Sequence, residues 1–524
     1  MKKEKESTKR ILETQDRFKY ILILEGIGCG ALAGFIAIIY RIVLGHAQTF
    51  ITFMASYIKA YPMMIIGWFG FLLILGLIIG YCLKKEPMIS GSGIPQVEGE
   101  MMSFLDQKWD RVLGYKMFAG TLCALGGLSL GREGPSIQLG AMAGKAIAKI
   151  FHRVKMEEKL LLTCGAAAGL SAAFNAPLAG VMFALEEIHK NFSVSVLVSV
   201  MCASVTGDFL SRNIFGLSPV FHFVVEETMP LEYYASILGL GIVCGVCGVC
   251  YNKMTLWVQD VFQKVPKISA PFKVIIPLMI SGILMLCLPE VLGSGHTMIE
   301  MLSNHKTFVL QTLVMLLLMK FMFSLVSFGS GAPGGIFFPL LVLGSFVGAI
   351  YGLLVIEGFG VPRMYLANFI IMAMAAFFAA IVRAPITGII LIAEMSGTLT
   401  HLLPLAIASL CAYVVANLLK CDPIYESLLH RILLKNGVNE KAFKGSKHVV
   451  EATIEIGSEV CEKQIKDIHW PSNCLLISIH RGNAEIIPKG DTVLYTGDLI
   501  LALLNDEDAP YVQHQLEKLC TKKL

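Results

Sequence analysis

The chain has 524 residues, 55% of them hydrophobic and 16% charged, with a mean hydropathy of +0.68. These figures exclude an ordinary soluble protein and describe a polytopic membrane protein, and a net charge of +4 carries no nucleic-acid signal. The 14 cysteines are scattered, mostly in apolar segments, and read as buried small thiols rather than disulfides.

In chain order, segment 1–19 is rich in lysine and is predicted to stay on the cytoplasmic side. The first apolar run, from Ile21, reads as a retained helix rather than a cleaved signal. Apolar runs recur to about Leu419, on the order of a dozen at ~20 residues per span. Glycine and proline interrupt many of them (49 Gly and 20 Pro in all), which predicts tilted, kinked or half-spanning helices. Residues 20–435 therefore read as an all-α membrane domain in two halves, 20–225 and 226–435. A linker follows at 436–446, and 447–524 reads as a small soluble α+β domain with a cytoplasmic C-terminus. Alternation and turn residues predict strands His448–Ile456, Leu475–His480, a short strand after Arg481-Gly482, Thr492–Leu494 and Leu499–Leu504, with a helix over Ser458–Ile468. Cys244, Cys247 and Cys250 share a helix face with Gly241, Gly245 and Gly248, which reads as a packing face rather than a metal site. His222, between two phenylalanines, is expected in an exposed loop.

The membrane part carries a weak internal repeat. Asn175-Ala-Pro-Leu-Ala-Gly…Glu186-Glu187 echoes Arg383-Ala-Pro-Ile-Thr-Gly…Glu394-Met395, 208 residues on. Gly91-Ser-Gly echoes Gly293-Ser-Gly at 202, and the glycine-rich stretch from Gly131 echoes that from Gly331 at 200. Repeats of interrupted helices place a transporter's site where the halves meet.

Two features carry chemistry. Arg132 and Glu133 lie in a glycine-lined stretch between apolar segments, where a charge costs about 2.5–3.5 kcal/mol and is read as functional by default. Gly91–Pro95, Gly131–Pro135, Gly335–Pro339 and the region around Tyr425 can each turn helix N-termini or bare amides toward an anion. One such stretch alone is readily a packing kink; together they favour an anion held by dipoles and hydroxyls over one held by a touching lysine or arginine, which would slow its release. Other membrane-depth charges are read as structural. Lys116 is expected to pair with Glu98, Lys320 and Arg383 lack obvious partners, and Glu394 mirrors the Glu186-Glu187 helix. No nucleophile–base pair, metal motif or cofactor motif appears, so an enzyme is not expected.

Gly91-Ser92-Gly93-Ile94-Pro95, Gly131-Arg132-Glu133-Gly134-Pro135 and Gly335-Ile-Phe-Phe-Pro339 are similar, in order, to the three signature segments of the CLC family of chloride channels and proton-coupled chloride antiporters. The resemblance covers about 20–435. It implies an inverted-repeat fold of tilted and broken helices, a homodimer in the cell membrane, and an anion path in each subunit. It also implies that Ser92, Tyr425 and the amides of Ile336 and Phe337 bind chloride, that Glu133 is the gate, and that Glu187 transfers protons from inside. Family channels typically carry an apolar residue where this chain has Glu187, so the resemblance favours the antiporter branch, with a passive channel as the alternative. Serine at position 92 favours chloride, since nitrate- and fluoride-selective branches tend to replace it. The tail, over about 447–510, resembles a TrkA-C (RCK C-terminal) domain. That implies a regulatory module binding a nucleotide-type small molecule, or one that only dimerises. A potassium channel or transporter, suggested by the tail alone, lacks a Thr-Val-Gly-Tyr-Gly-like filter.

Overall fold

A computed structural model describes residues 2–521 except 191, 193, 222, 224–226, 266–268, 305–308, 438–446, 456, 472–473, 482–483 and 506–508. His222, Gly482 and most of the 436–446 linker lie outside the described residues. The chain divides into two compact units, Met1–Leu429 and His430–Leu524.

The first unit is helical: α1 Lys2–Ala60, α2 Met64–Lys85, α3 Ile94–Met101, α4 Trp109–Leu125, α5 Glu133–Ile150, α6 Lys155–Phe174, α7 Pro177–Phe183, α8 Val194–Phe215 and α9 Tyr234–Lys264. It continues with α10 Ile275–Cys287, α11 His296–Asn304, α12 Leu310–Gly329, α13 Phe337–Phe359, α14 Leu366–Val382, α15 Pro385–Ser396 and α16 Leu402–Leu418, and α17 Ile424–Lys435 begins in it and runs past its end at Leu429. Among the described residues, seven helices are long and apolar enough to cross a membrane. Other helices are short, of 8 residues in α3 and 7 in α7, in keeping with the interrupted helices that the glycines and prolines predict. Helices α5 and α6 meet without side chains between them. A Cβ on Gly140 or Gly144 would strike the backbone of Gly165 or Leu161, which is the close approach that small residues permit. Helix α9 packs the same way, with Gly241 and Gly245 against α16 and Gly248 against Ala380 of α14.

The repeat is visible in backbone and side chains alike. Gly91 and Gly93 take φ of 64° and 93°, and Gly293 and Gly295 take 65° and 101°. Asn175 and Arg383, each just before an Ala-Pro, cap α6 and α14 in the left-handed region at 54° and 73°. The third pair needs correcting. The partner of Gly131 is Gly335, 204 residues on, rather than Gly331; the two form an antiparallel bridge, with N···O distances of 2.6 and 2.8 Å. Helices α5 and α13 then begin at matching positions, which makes Glu133 the counterpart of Phe337.

The expected Lys116–Glu98 pair does not form. Lys116 Nζ donates to the carbonyls of Ile89 and Gly91, at 2.8 and 2.7 Å, and Glu98 pairs with Lys190. The repeat explains this, because Lys320 donates in the same way to Val291 and Gly293, at 2.9 and 2.7 Å. Each lysine ties down carbonyls at a Gly-Ser-Gly loop, and that of Gly91 also accepts from the Gly334 amide at 3.0 Å. Arg383 donates to the carbonyls of Ala380 and Cys421. Glu186 and Glu394 cap each other's helices across the repeat. Glu394 accepts from the amides of Leu178 and Ala179 at the start of α7, at 3.1 and 2.8 Å. Glu186 accepts from Ile386 N and Thr387 N at the start of α15, at 3.4 and 2.8 Å, and from the Thr387 hydroxyl at 2.7 Å.

The second unit holds a four-stranded antiparallel sheet in the order β1-β4-β2-β3, with β1 Lys447–Thr453, β2 Cys474–Arg481, β3 Ala484–Ile486 and β4 Leu499–Asn505. The helix expected over Ser458–Ile468 is absent. Its amides bond outward instead, Glu462 to Leu494, Ile465 to Thr492 and Lys466 to Gly490, so that only a 3-10 turn at Ile465–Asp467 remains. The same crossing bonds reduce the expected strand Thr492–Leu494 to a single bridge, Gln464↔Val493. A helix the pattern had not indicated, α18 Ala509–Cys520, packs Val512, Leu516 and Cys520 against Val450, Ala452 and Ile500. Arg481 Nε and Nη2 clasp the two oxygens of Asp498 at 2.8 Å each. Burial works against the charge, yet this fork and the Tyr495 amide hold the Asp498 carboxyl below its usual range.

Candidate functional site

Three chain breaks converge. The Gly93 break starts α3 and leaves Ser92 just before it. Arg132 and Ile336 cap the starts of α5 and α13, and the Gly131–Gly335 bridge ties those two starts together. Gly134 then lies so close to the Ser92 hydroxyl and carbonyl that a Cβ would stand 2.5 and 2.8 Å from them. The first-turn amides of a helix have no intrahelical acceptor, so the starts of α3, α5 and α13 present unspent donors and positive dipole ends.

Ser92 is 2% exposed and Tyr425, on α17, is fully buried with its hydroxyl unpartnered and Ser92 beside it. The sequence-predicted Ser92, Tyr425, Ile336 and Phe337 thus all fall in this buried cluster. Phe337 is wedged among Phe174, Phe183 and Phe378, with ring centroids 5.4, 5.9 and 4.7 Å away. This aromatic packing keeps the start of α13 in place and water out.

Glu133 occupies the first position of α5 and is buried. Neither carboxylate oxygen makes a well-formed hydrogen bond, although the Phe338 amide lies near and Arg132 Nε stands 3.7 Å from Oε1. A buried polar atom without a partner costs about 1–3 kcal/mol and calls for an explanation. On one side Glu133 borders a cavity of about 280 Å³, lined also by Tyr40, Gln48, Arg132, Ser294, His296 and Phe338. A carboxyl side chain therefore has room on that side and amides at its base.

Glu187 lies on a π-helical turn, Ala184–His189, which continues α7. Such turns concentrate at functional sites. It is 5% exposed, with Oε1 unpartnered. Tyr425 feels the charge of both Glu187 and Glu133, and so lies within electrostatic reach of each. Sequence reading missed the groups around Glu187. Lys190 bridges Glu98 and Glu426, residues distant in the chain, with no local pattern to join them.

Residues 75–417 match the family model for the voltage gated chloride channel, and 449–516 match that for the TrkA-C domain. The chain is 40% identical over 364 residues to an H(+)/Cl(-) exchange transporter ClcA of Vibrio cholerae serotype O1, covering 68% of this chain and 77% of that one. It is 36% identical over 434 residues to the transporter of the same name from Vibrio parahaemolyticus serotype O3:K6, covering 80% and 91%. Among solved structures, a slow cyanobacterial Cl-/H+ antiporter superposes with a TM-score of 0.74 at 32% identity, over 79% of this chain and 99% of that one.

Proposed function

Because the chain belongs to the voltage gated chloride channel family and ends in a TrkA-C domain, we propose that it is a membrane antiporter exchanging chloride for protons, with Glu133 as the gate and Glu187 as the inner proton-transfer residue. The relatives named as H(+)/Cl(-) exchange transporters support the exchange.

The observation that carries the two assignments is a departure from the repeat. The fold builds each half alike down to its lysines and capping glutamates. At the position equivalent to Glu133 the second half has Phe337, and at the position equivalent to Glu187 it has Met395. The architecture is satisfied by apolar residues at both places. Only the first half buries carboxylates there, each with an oxygen lacking a partner, at a cost the fold does not require.

Chemically, the start of α5 can hold either the Glu133 carboxylate or a chloride near the same amides, but not both. Protonation neutralises the carboxylate and removes its advantage over chloride, and the cavity beside it accommodates the swung side chain. Chloride would lie between the Ser92 and Tyr425 hydroxyls and the amides of Ile336 and Phe337. These supply hydrogen bonds without a full positive charge, so release stays fast. Glu187, which like Glu133 lies within electrostatic reach of Tyr425, would pass protons to Glu133. The protein would work as a homodimer in the cell membrane with both termini cytoplasmic, and its tail would take a nucleotide-type regulator.

The test is proton movement in liposomes holding purified protein under an imposed chloride gradient. Chloride running downhill should drive protons uphill, and Glu133→Ala or Glu187→Ala should abolish the proton flux while chloride still moves. Chloride flux without protons in the unsubstituted protein would make it a passive channel.

A further inference from the structure

Lys190 closes the π-helical turn that carries Glu187. Its Nζ lies 2.7 Å from Glu98 Oε1 and 2.7 Å from Glu426 Oε1. Side-chain exposure falls along this chain of charges, from 48% at Glu426 to 32% at Lys190 and 1% at Glu98. The bridge thus runs from solvent inward to a buried carboxylate whose other oxygen, Oε2, has no partner. Lys190 is held in the left-handed region (φ 53°, ψ 28°), which disfavours a non-glycine residue. The second half puts Gly397 (φ 71°) at the matching left-handed cap of α15, so the fold does not call for a lysine there.

The groups facing Glu187 can be named element by element. From α3 comes Glu98, and from α17 come Glu426 and Tyr425. From its own turn come Glu186, spent on the start of α15, and Lys190. On the same turn His189, rather than Glu187, meets α6: its Nδ1 lies 3.1 Å from the Thr163 hydroxyl and it feels the charge of Lys159. Two carboxylates beside Glu187, Glu98 and Glu426, therefore share the Lys190 cation.

We propose that Lys190 is a positioning residue that sets the proton affinity of Glu187 by holding Glu98 ionised, with Glu426 as the solvent-side arm of the same bridge. Two carboxylates buried together cannot both stay ionised without a cation; they share a proton and hold it more tightly. With Lys190 in place Glu98 keeps its charge without taking a proton, and Glu187 alone gains and loses the proton delivered from inside. This rests on the reading of Glu187 as the inner proton-transfer residue.

The test is the cytoplasmic-pH profile of chloride-driven proton flux in oriented proteoliposomes, for Lys190→Met, Lys190→Arg, Glu98→Gln and the double variant Lys190→Met/Glu98→Gln. Lys190→Met should move the profile midpoint up by about one pH unit, since the carboxylates lose their cation. Glu98→Gln should move it down, since Lys190 then acts on Glu187 without a competing charge. Lys190→Arg should leave it in place, and the double variant should return it toward the unsubstituted value. A merely structural role would move both single variants the same way or neither, and either result overturns the proposal. If Lys190→Met does not assemble, Lys190→Gln, which also removes the charge, should give the same upward shift, and an unmoved midpoint there overturns the proposal. Glu187→Ala, run beside them, separates the premises: proton coupling that survives it removes the role of Glu187, whereas coupling lost there with an unmoved midpoint in the other variants removes only the role of Lys190.

Discussion

Replacing Glu187 by methionine, the residue its repeat counterpart carries, separates function from architecture most cleanly. Met395 is fully buried in α15, so a methionine side chain is already accommodated at this place in the fold. Glu187 is 5% exposed, lacks a partner for Oε1, and faces Glu98, Glu426 and Glu186 against one lysine. Removing a buried polar group that lacks a partner relieves a cost of about 1–3 kcal/mol. The Glu187→Met protein should therefore unfold at the same temperature or higher. It should pass chloride within a few-fold of the unsubstituted rate and move no protons above protein-free liposomes. The assay is paired ion-selective and pH recordings on one liposome preparation, with thermal unfolding followed in detergent. Uphill proton movement persisting in Glu187→Met would refute the reasoning. So would a drop in stability of several kcal/mol, which would mean that the carboxylate is structural. Glu186→Met is the control from the adjacent position. It loses hydrogen bonds to the charged group worth about 1.5–3 kcal/mol each and should destabilise the protein while leaving the proton-to-chloride ratio unchanged.

Gly134→Ala should weaken chloride binding at least tenfold in calorimetry, because its Cβ would stand 2.5 Å from the Ser92 hydroxyl and 2.8 Å from the Ser92 carbonyl. Glu394→Gln should act like Glu186→Met, lowering thermal stability by about 1–3 kcal/mol through the lost α7 cap with coupling intact. Asp498→Asn should destabilise the C-terminal unit by a similar amount at neutral pH, read as faster amide exchange in β2 and β4. The folded carboxyl is held below its usual range, so its contribution is present above the unfolded value near 4 and is lost as pH falls through the depressed one. The difference between the two proteins should therefore shrink in acid.

The sequence by itself determined the membrane class, the breaks in the helices and the segments that those breaks bring together. Each of these rests on local chemistry: apolar run length, glycines at positive φ, prolines at helix starts. The segments holding Ser92, Glu133, Ile336, Phe337 and Tyr425 were legible as such breaks, and the resemblance to the CLC family singled out these residues within them. What only the tertiary structure decided were the partners. Lys116 and Lys320 each reach back over 20 residues to a loop carbonyl, Glu186 and Glu394 cap helices in the opposite half, and Lys190 joins carboxylates from α3 and α17. The register of the repeat at Gly131 and Gly335 came from a two-bond bridge, where glycine spacing alone misled. In the tail, residues 458–468 read as helix by local pattern, but their amides found acceptors at 490–494. A hydrogen-bonding group is satisfied by whatever the folded chain brings within reach, and that reach is not written in the spacing of neighbours along the sequence.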